Sequence, residues 1–283
     1  SCSRLFRFGM KSPHNNISLD PSIKYILGMI EMSIKDHEKN QGIWYCLGIE
    51  STADDFSVGI VSSRGEILAN AVSTYVPKEG GIHPREAARH HAETAPETLS
   101  EAFNQASLTP KEISVVSFSQ GPGMEPCLRT GATVARALAS FLNVPLVGVN
   151  HLVAHIEIGR LTTGAKDPVT LFVSGGSTIV SAFEDGRYRI FGETLDLAAG
   201  NCIDVFAREA GIKPVRGKPA AAVVEELARK GRNFIQLPYV VKGMDLTFSG
   251  LLTAAVQLIK DGRYRIEDLC FSLQEVVFSM LTE

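Results

Sequence analysis

The chain has 283 residues, of which 45% are hydrophobic and 21% are charged, and its 28 basic and 31 acidic side chains give a net charge of −3. This composition excludes a disordered, collagen-like or coiled-coil protein, and the length favours about two domains. A charge so close to neutral argues against a protein that coats nucleic acid, although a local basic groove can still bind a structured RNA.

Apolar runs and cysteines indicate the compartment of the protein. The longest apolar candidate, Gly131–Val149, is interrupted by Arg136, so it falls short of the ~18 apolar residues of a membrane span. The five cysteines are odd in number, scattered and free of C-x-x-C pairs, which favours a reducing compartment and no thiolate metal cage. Residues 1–43 lack the pattern of a secretory signal. We therefore expect a soluble, cytoplasmic protein without membrane contact, in which residues 1–43 form a weakly structured extension.

The predicted strands occur as two copies of a three-stranded meander. Each copy places a loop of small and polar residues between its first two strands, at Glu50–Asp55 and at Ser174–Ser177. Because a duplicated unit sets the architecture, we predict two α/β lobes, residues 44–165 and 166–283, with these loops facing each other across a ligand cleft. The predicted strands are Trp44–Ile49, Phe56–Val61 and Ile67–Thr74 in the first copy, and Val169–Val173, Thr178–Phe183 and Tyr188–Thr194 in the second.

Between the two meanders, helices and strands alternate, which is typical of α/β proteins. Apolar residues at three- and four-residue spacing predict a helix over Pro84–Ala106, and Pro96 is expected to kink or restart it. Further helices are predicted at Cys127–Leu142 and His151–Leu161, and further strands at Ile113–Phe118 and Pro145–Val149.

His151 and His155 stand four residues apart on a predicted helix, so their side chains project from one face and can chelate one metal ion. A lone His-x-x-x-His pair is more often structural, and the spacing by itself leaves both interpretations open. Asn150, directly before the pair, is a candidate N-cap. A second pair, His90 and His91, is interpreted as a partly core-facing part of the first predicted helix.

Three loops carry candidate ligand groups. The glycine turn Ser174–Ser177 presents backbone N–H groups that can cradle a phosphate, but an ordinary tight hairpin explains it equally well. The turn that begins at Glu50 offers carboxylates and hydroxyls to a metal-bound or hydroxyl-bearing ligand, and its alternative is an Asx-type turn. His83 and Arg85 precede the first helix and are either acid–base or phosphate-binding groups or exposed loop residues.

Eight stretches of the chain, spread over Tyr45–Leu281, match the motifs of one known family in their order. They are Leu47–Thr52, Gly80–Pro84, Ser119–Gly123, Val147–His151, Val173–Gly176, Phe191–Asp196, Gly200–Asn201 with Asp204, and Lys242–Leu246 with Phe248–Gly250. In these stretches the chain resembles the tRNA threonylcarbamoyladenosine synthase family, formerly described as glycoproteases or O-sialoglycoprotein endopeptidases. Several motifs are most similar to the archaeal and eukaryotic branch, whose members work within the KEOPS complex.

The resemblance implies a fold and an activity. The fold is a duplicated, two-lobed actin-like or sugar-kinase-like (ribonuclease H-like) α/β fold. The activity is tRNA modification by a transferase, which moves the threonylcarbamoyl group of threonylcarbamoyl-AMP to N6 of adenosine 37 in tRNAs that read codons beginning with A. The implied cofactors are one divalent metal ion, Fe or Zn, and an adenine nucleotide as threonylcarbamoyl-AMP or ATP. The implied partners are tRNA and KEOPS-type protein subunits.

The family's site residues carry over to matching positions of this chain. By this resemblance His151 and His155 hold the metal ion, and Asp204 binds the nucleotide ribose. Glu225 keeps an acidic position of the nucleotide site. The phosphate-contacting residues are Ser174, Gly175, Gly176 and Ser177, and the candidate catalytic residues are Glu50 and His83.

The chain also departs from the family pattern. Phe172 stands where the archaeal branch has a tyrosine metal ligand, Ser177 replaces an Asn or His, and Pro219–Ala222 replaces a glycine-rich nucleotide loop. The sequence ends at Glu283, before the family's final strands and the Asp-Asn-Gly motif that supplies another metal ligand. We therefore expect an incomplete second lobe, and a chain that by itself is inactive or nearly so.

Two other functions compete with the transferase. The changed loop and the missing ligand favour a non-catalytic, nucleotide-binding scaffold for KEOPS-type partners. The older metalloprotease assignment is rejected. Zinc proteases with a helical histidine pair place a Glu directly after the first His, and Leu152 stands there in this chain.

Overall fold

A computed structural model describes residues 42–77, 82–215 and 219–283 of the chain. It divides into two compact units between Lys166 and Asp167, one residue after the boundary that the sequence predicts. Nearly all of the expected extension at residues 1–43, and the motif residues Gly80 and Gly81, lie outside the described residues.

The first unit is built on a five-stranded mixed sheet with the strand order β3-β2-β1-β4-β5. Strands β1, β2 and β3 form the predicted antiparallel meander, whereas β4 and β5 run parallel to β1. Both the first meander and the α/β alternation are thereby confirmed. The strands are β1 (Tyr45–Glu50), β2 (Asp55–Ser62), β3 (Ile67–Thr74), β4 (Ile113–Gly121) and β5 (Leu146–Asn150).

Among the described residues of this unit, three helices accompany the sheet: α1 (Pro84–Ala106), α2 (Glu125–Leu142) and α3 (His151–Thr163). Helix α1 packs on β2 and β3 and against α2, which itself packs on β4. Of the kink or restart predicted at Pro96, the restart is wrong, because α1 continues through this proline, and the kink stays a prediction. Packing against the sheet on both sides of Pro96, where Ala95 and Thr98 are buried, outweighs the loss of one helical hydrogen bond.

The second unit repeats the meander with a three-stranded antiparallel sheet in the order β6-β7-β8. The predicted duplication of the meander is therefore confirmed. A two-stranded hairpin and four helices follow along the chain. The elements are β6 (Thr170–Val173), β7 (Thr178–Glu184), β8 (Arg187–Glu193), α4 (Ala199–Glu209), α5 (Ala220–Ala228), β9 (Val241–Lys242), β10 (Asp245–Leu246), α6 (Ser249–Asp261) and α7 (Ile266–Thr282).

The two units differ in how they bury apolar side chains. In the first unit, residues of the sheet such as Leu47, Phe56 and Ile60 form the core together with α1 and α2. In the second unit, the core lies among the helices and includes Phe206, Phe248, Leu251, Leu269, Leu273 and Met280. The strands β6 and β8 leave Leu171, Ile190 and Phe191 exposed. The two units therefore share the strand order of the meander but differ in where their hydrophobic cores lie.

Among the helices of the described residues, we find none with both the length and the apolar character needed to cross a membrane.

Helix α2 approaches the turn after β1 so closely that only glycine fits at the contact. A Cβ atom added to Gly131 would lie 2.0 Å from Ser51 Oγ and 2.9 Å from Ser51 Cβ. A Cβ atom on Gly123, just before α2, would lie 2.7 Å from the backbone oxygen of Thr52. In contrast, a Cβ atom on Gly159 of α3 meets nothing within 4 Å.

These two helical glycines give a matched pair of substitutions. We expect Gly131→Ala to destabilise the chain by about 1–3 kcal/mol, because either α2 or the turn must move. Gly159→Ala should stabilise it by about 0.5–1 kcal/mol, because alanine restricts the unfolded chain and meets no obstacle. Urea unfolding measures both free energies. Equal effects of the two substitutions would contradict the close approach.

Candidate functional site

The candidate site lies at one edge of the first sheet. The strands β1, β4 and β5 are parallel, and their last residues are Glu50, Gly121 and Asn150. The carboxyl ends of parallel strands meet at the same edge, which is where α/β sheets bind their ligands. The turn after β1 and the first residues of α2 and α3 therefore gather at this edge.

Hydrogen bonds from three different elements hold the turn after β1. The backbone N–H of Ser51 donates to Ser119 Oγ on β4 at 3.2 Å. The N–H of Met124, at the start of α2, donates to the Thr52 carbonyl at 2.7 Å. His91 Nε2, on α1, lies 3.0 Å from the Ala53 carbonyl oxygen. Ser51, Thr52 and Ala53 are therefore each held by a hydrogen bond from a different element.

This turn directs the Glu50 carboxylate toward α3. Glu50 Oε1 accepts the backbone N–H of Thr52 at 2.7 Å. The same oxygen lies 3.8 Å from His151 Nδ1, and the side chains of His151 and Glu50 are only 20% and 33% exposed. This distance is too long for a hydrogen bond, but in a half-buried setting the negative charge still acts on the imidazole.

The two histidines of α3 face each other. Asn150 caps the helix, because its Oδ1 atom accepts the N–H groups of Leu152 and Val153 at 2.9 and 3.2 Å. The predicted N-cap is thereby confirmed. The Nε2 atoms of His151 and His155 are 3.2 Å apart, and their rings are perpendicular with centroids 4.5 Å apart.

This arrangement fits two of the ligands of a metal ion. Two nitrogens that bind one tetrahedral Zn²⁺ ion with bonds of about 2.0–2.1 Å are about 3.3 Å apart. The carboxylate of Glu50 faces Nδ1 of His151, as an acceptor for a metal-bound imidazole does. In the part of the chain that the structure describes, no group of three or more His, Cys, Asp and Glu side chains could hold a metal. An ion bound here would therefore take its other ligands from outside this pair.

Burial controls the protonation of the histidines at this edge. It lowers the pKa of His151, the nearby Glu50 charge opposes that shift, and His155 adds to it. Burial also lowers the pKa of His91. Both imidazoles are therefore neutral at neutral pH, the state in which a histidine can bind a metal ion.

His83 makes no described hydrogen bond with these groups and lies at the start of α1. His83 is the exposed N-cap residue of α1, and its side chain makes no capping hydrogen bond. The adjacent Pro84 carbonyl accepts a long hydrogen bond from Cys127 Sγ at 3.6 Å, which places the start of α1 beside the start of α2. The catalytic role of His83 stays a prediction.

In the second unit, the turn Ser174–Ser177 joins β6 to β7 as a hairpin. The Ser174 hydroxyl accepts the N–H groups of Gly176 and Ser177 at 3.3 and 3.0 Å. Two of the N–H groups that the sequence offers to a phosphate are thus already hydrogen-bonded within the turn. The turn contacts α4, because the Gly200 N–H donates to the Ser174 carbonyl at 3.2 Å.

Asp204 follows Gly200 by one helical turn, so both residues lie on the same face of α4. Partial burial raises the pKa of its carboxylate. Glu225 lies on α5, and its carboxylate pairs with Arg229. The nucleotide-binding roles of these residues stay predictions. The turns at Glu50–Asp55 and Ser174–Ser177 belong to different units, so their opposition across a cleft also stays a prediction.

The sequence predicts that His90 and His91 partly face the core, which is confirmed for His91, but it does not predict the contact that His91 makes with the turn after β1. Its side chain is fully buried, and only the structure shows that it reaches the Ala53 carbonyl, 38 residues earlier in the chain. The sequence holds a weak signal for it, because His91 lies four residues after the buried Ala87 and four before the buried Ala95. A polar residue on a buried helix face needs a polar partner.

Solved structures with a similar fold define the class of this protein. HypF from T. kodakarensis is 13% identical with a TM-score of 0.59, and the match covers 84% of this chain and 39% of that one. Component A of the (R)-2-hydroxyglutaryl-CoA dehydratase from Acidaminococcus fermentans is 14% identical with a TM-score of 0.52, and the match covers 84% and 76%. At this identity the likeness concerns the fold only, which is the predicted actin-like or sugar-kinase-like α/β fold.

Sequence comparison identifies the family. The sequence pattern of the TsaD family, described as tRNA N6-adenosine threonylcarbamoyltransferase, matches residues 66–283, and the chain belongs to this family. A relative with that name from Thermofilum pendens is 56% identical over 237 residues, which are 84% of this chain and 69% of the relative. A "probable bifunctional tRNA threonylcarbamoyladenosine biosynthesis protein" from Methanothermobacter thermautotrophicus is also 56% identical, and the match covers 44% of its length.

The electrostatics of the edge predict how its histidines titrate. Removing the Glu50 charge should lower the pKa of His151 further, because that charge favours the protonated ring, whereas His155→Ala should raise it. NMR titration of the ring protons in Glu50→Gln and His155→Ala measures both shifts.

The folded-state pKa of His151 lies below its ordinary value of 6.5. The unfolded chain therefore binds more protons, and the free energy of unfolding should fall as the pH drops below about 6.5. Changes of the opposite sign, in the pKa of His151 or in the free energy of unfolding, would contradict the geometry of this edge.

Proposed function

We propose that this protein transfers the threonylcarbamoyl group from threonylcarbamoyl-AMP to N6 of adenosine in tRNA. The observation that carries the proposal is the match of residues 66–283 to the TsaD family. The relatives named tRNA N6-adenosine threonylcarbamoyltransferase, at 52–56% identity, support it. The facing nitrogens of His151 and His155 at the carboxyl edge of the first sheet support the location that we propose for this chemistry.

The reaction exchanges one bond of the carbamoyl carbon for another. The adenosine N6 amine attacks this carbon and forms a C–N bond, while the bond from the carbon to the phosphate oxygen breaks. AMP leaves, and N6 gives up one proton. Glu50 and His83 are the candidate acceptors of that proton. Glu50 also orients the imidazole of His151, because Thr52 holds its carboxylate in place.

His151 and His155 are the residues that would hold a divalent metal ion in this unit. Such an ion, Fe or Zn, supplies a Lewis acid that stabilises negative charge on the reacting carbonyl and phosphate oxygens. The neutral state of His151 and the 3.2 Å separation of the two Nε2 atoms support this assignment. The Glu50 carboxylate lies on the Nδ1 side of His151, where it would orient the ring toward the ion.

The second unit would hold the nucleotide. The turn of Ser174, Gly175, Gly176 and Ser177 would contact phosphate, with Asp204 as the ribose ligand on α4 and Glu225 as an acidic group on α5. The contact between Gly200 and Ser174 supports a common location for the turn and the Asp204 face of α4. We further propose tRNA and KEOPS-type subunits as the partners, and the cytoplasm as the compartment.

Metal binding tests the role of the histidine pair. We expect zinc, titrated into the metal-free chain in a calorimeter, to bind in one equivalent. His151→Ala and His155→Ala should each weaken binding at least 100-fold, and Glu50→Gln should weaken it by about 10–100-fold, because the second shell orients the ligand. His90→Gln is the matched control, since His90 contacts Ser73 on β3 and should leave the affinity unchanged. Zinc binding that survives both alanine substitutions would contradict the assignment.

A transfer assay tests the function itself. The chain is used in excess over unmodified tRNA, with threonylcarbamoyl-AMP as donor, so that slow transfer is also detected. Mass spectrometry of the digested tRNA should show threonylcarbamoyladenosine in amounts equal to the AMP released. His151→Ala should lower the rate by roughly 10²-fold or more. Equal rates with and without His151 would contradict the proposal, and complete absence of product would favour the non-catalytic scaffold over the transferase.

A further inference from the structure

His91 is a buried polar residue with a hydrogen-bond partner for only one of its two ring nitrogens within the described residues. Its side chain is 0% exposed, and its ring packs 5.8 Å from the ring of Phe56. Its Nε2 atom lies 3.0 Å from the Ala53 carbonyl oxygen. A carbonyl can only accept a hydrogen bond, so Nε2 carries the proton and Nδ1 is bare. Within the described residues, Nδ1 has no hydrogen-bond partner.

An unpaired buried nitrogen costs free energy that an apolar side chain would avoid. Phenylalanine or leucine could fill much of the same space between α1 and the sheet without leaving a polar atom unpaired. What the imidazole adds is therefore its one hydrogen bond, from Nε2 to Ala53. Burial lowers the pKa of His91, so the ring stays neutral and its tautomer is fixed by this bond.

The Ala53 carbonyl belongs to the turn that aims Glu50. Bonds to Ser51 from β4 and to Thr52 from the start of α2 fix the first two residues after Glu50. The bond from His91 fixes the third. With these contacts in place, the Thr52 N–H points at Glu50 Oε1, the oxygen that faces His151.

We propose that His91 is a positioning residue: it ties α1 to the turn after β1, and so holds the Glu50 carboxylate against the histidine pair of α3. This role rests on the proposed function, in which Glu50 orients His151. It acts through the backbone of the turn, because the described contact of His91 there is with a backbone carbonyl and not with Glu50 itself.

The turn itself provides a direct test that needs neither metal nor substrate. His91→Phe and His91→Leu remove the donor but keep an apolar side chain. His91→Gln keeps an N–H donor close to the position of Nε2. Hydrogen exchange by NMR should show the Thr52 and Met124 amides exchanging at least tenfold faster in the first two variants and near the wild-type rate in His91→Gln. The Leu152 and Val153 amides, which bond to Asn150, are internal controls and should not change.

Zinc affinity then tests whether the turn acts on the site. His91→Phe should weaken zinc binding by about 10–100-fold, like Glu50→Gln, and His91→Gln should restore it. In the Glu50→Gln background His91→Phe should have no further effect, because both act through one carboxylate. His90→Phe, on the neighbouring residue that contacts Ser73, should leave the affinity unchanged.

The two measurements separate the two proposals. If wild-type chain does not bind zinc but the Thr52 and Met124 amides respond to His91→Phe, the metal assignment fails while the tie between α1 and the turn stands. If these amides exchange at the wild-type rate in folded His91→Phe and His91→Leu, the inference is overturned whatever zinc does. Additive effects of His91→Phe and Glu50→Gln on zinc affinity would overturn it as well.

Discussion

The turn after β1 is the constraint on which the candidate site depends. Strand β4, the start of α2 and helix α1 each hydrogen-bond a different residue of it, and Gly131 lets α2 come into contact with Ser51. Because these anchors lie on separate elements, the turn keeps its shape only when the whole first unit is packed. The direction of the Glu50 carboxylate therefore depends on the packing of the first unit as well as on its local hydrogen bond from Thr52.

Two separate features of the fold position the groups around His151. The cap of α3 by Asn150 fixes the start of the helix, so His151 and His155 project from one face next to the end of β5. The turn brings Glu50 to the other side of the same imidazole. Burial keeps this imidazole neutral, while the carboxylate limits that shift. Together these features leave His151 neutral, with its Nε2 atom facing that of His155.

The duplicated meander serves different purposes in the two units. In the first unit the sheet carries the core and positions the histidine pair. In the second unit the helices carry the core, and the turn between the first two strands packs against the start of α4. The first turn carries hydroxyls and carboxylates, whereas the second carries glycines and has two of its N–H groups bonded to the Ser174 hydroxyl.

The sequence by itself determined the features that depend on neighbours along the chain: both meanders, the three helices of the first unit to within a few residues, the Asn150 cap, the spacing of His151 and His155, and the family motifs. Local spacing is enough for these, because hydrogen bonding and side-chain periodicity act over a few residues. Only the tertiary structure decided that α1 continues through Pro96 and that His91 reaches Ala53. It also showed that the Ser174 hydroxyl accepts hydrogen bonds from N–H groups of its own turn. These outcomes depend on packing between elements and on side-chain geometry, which the order of residues does not reveal.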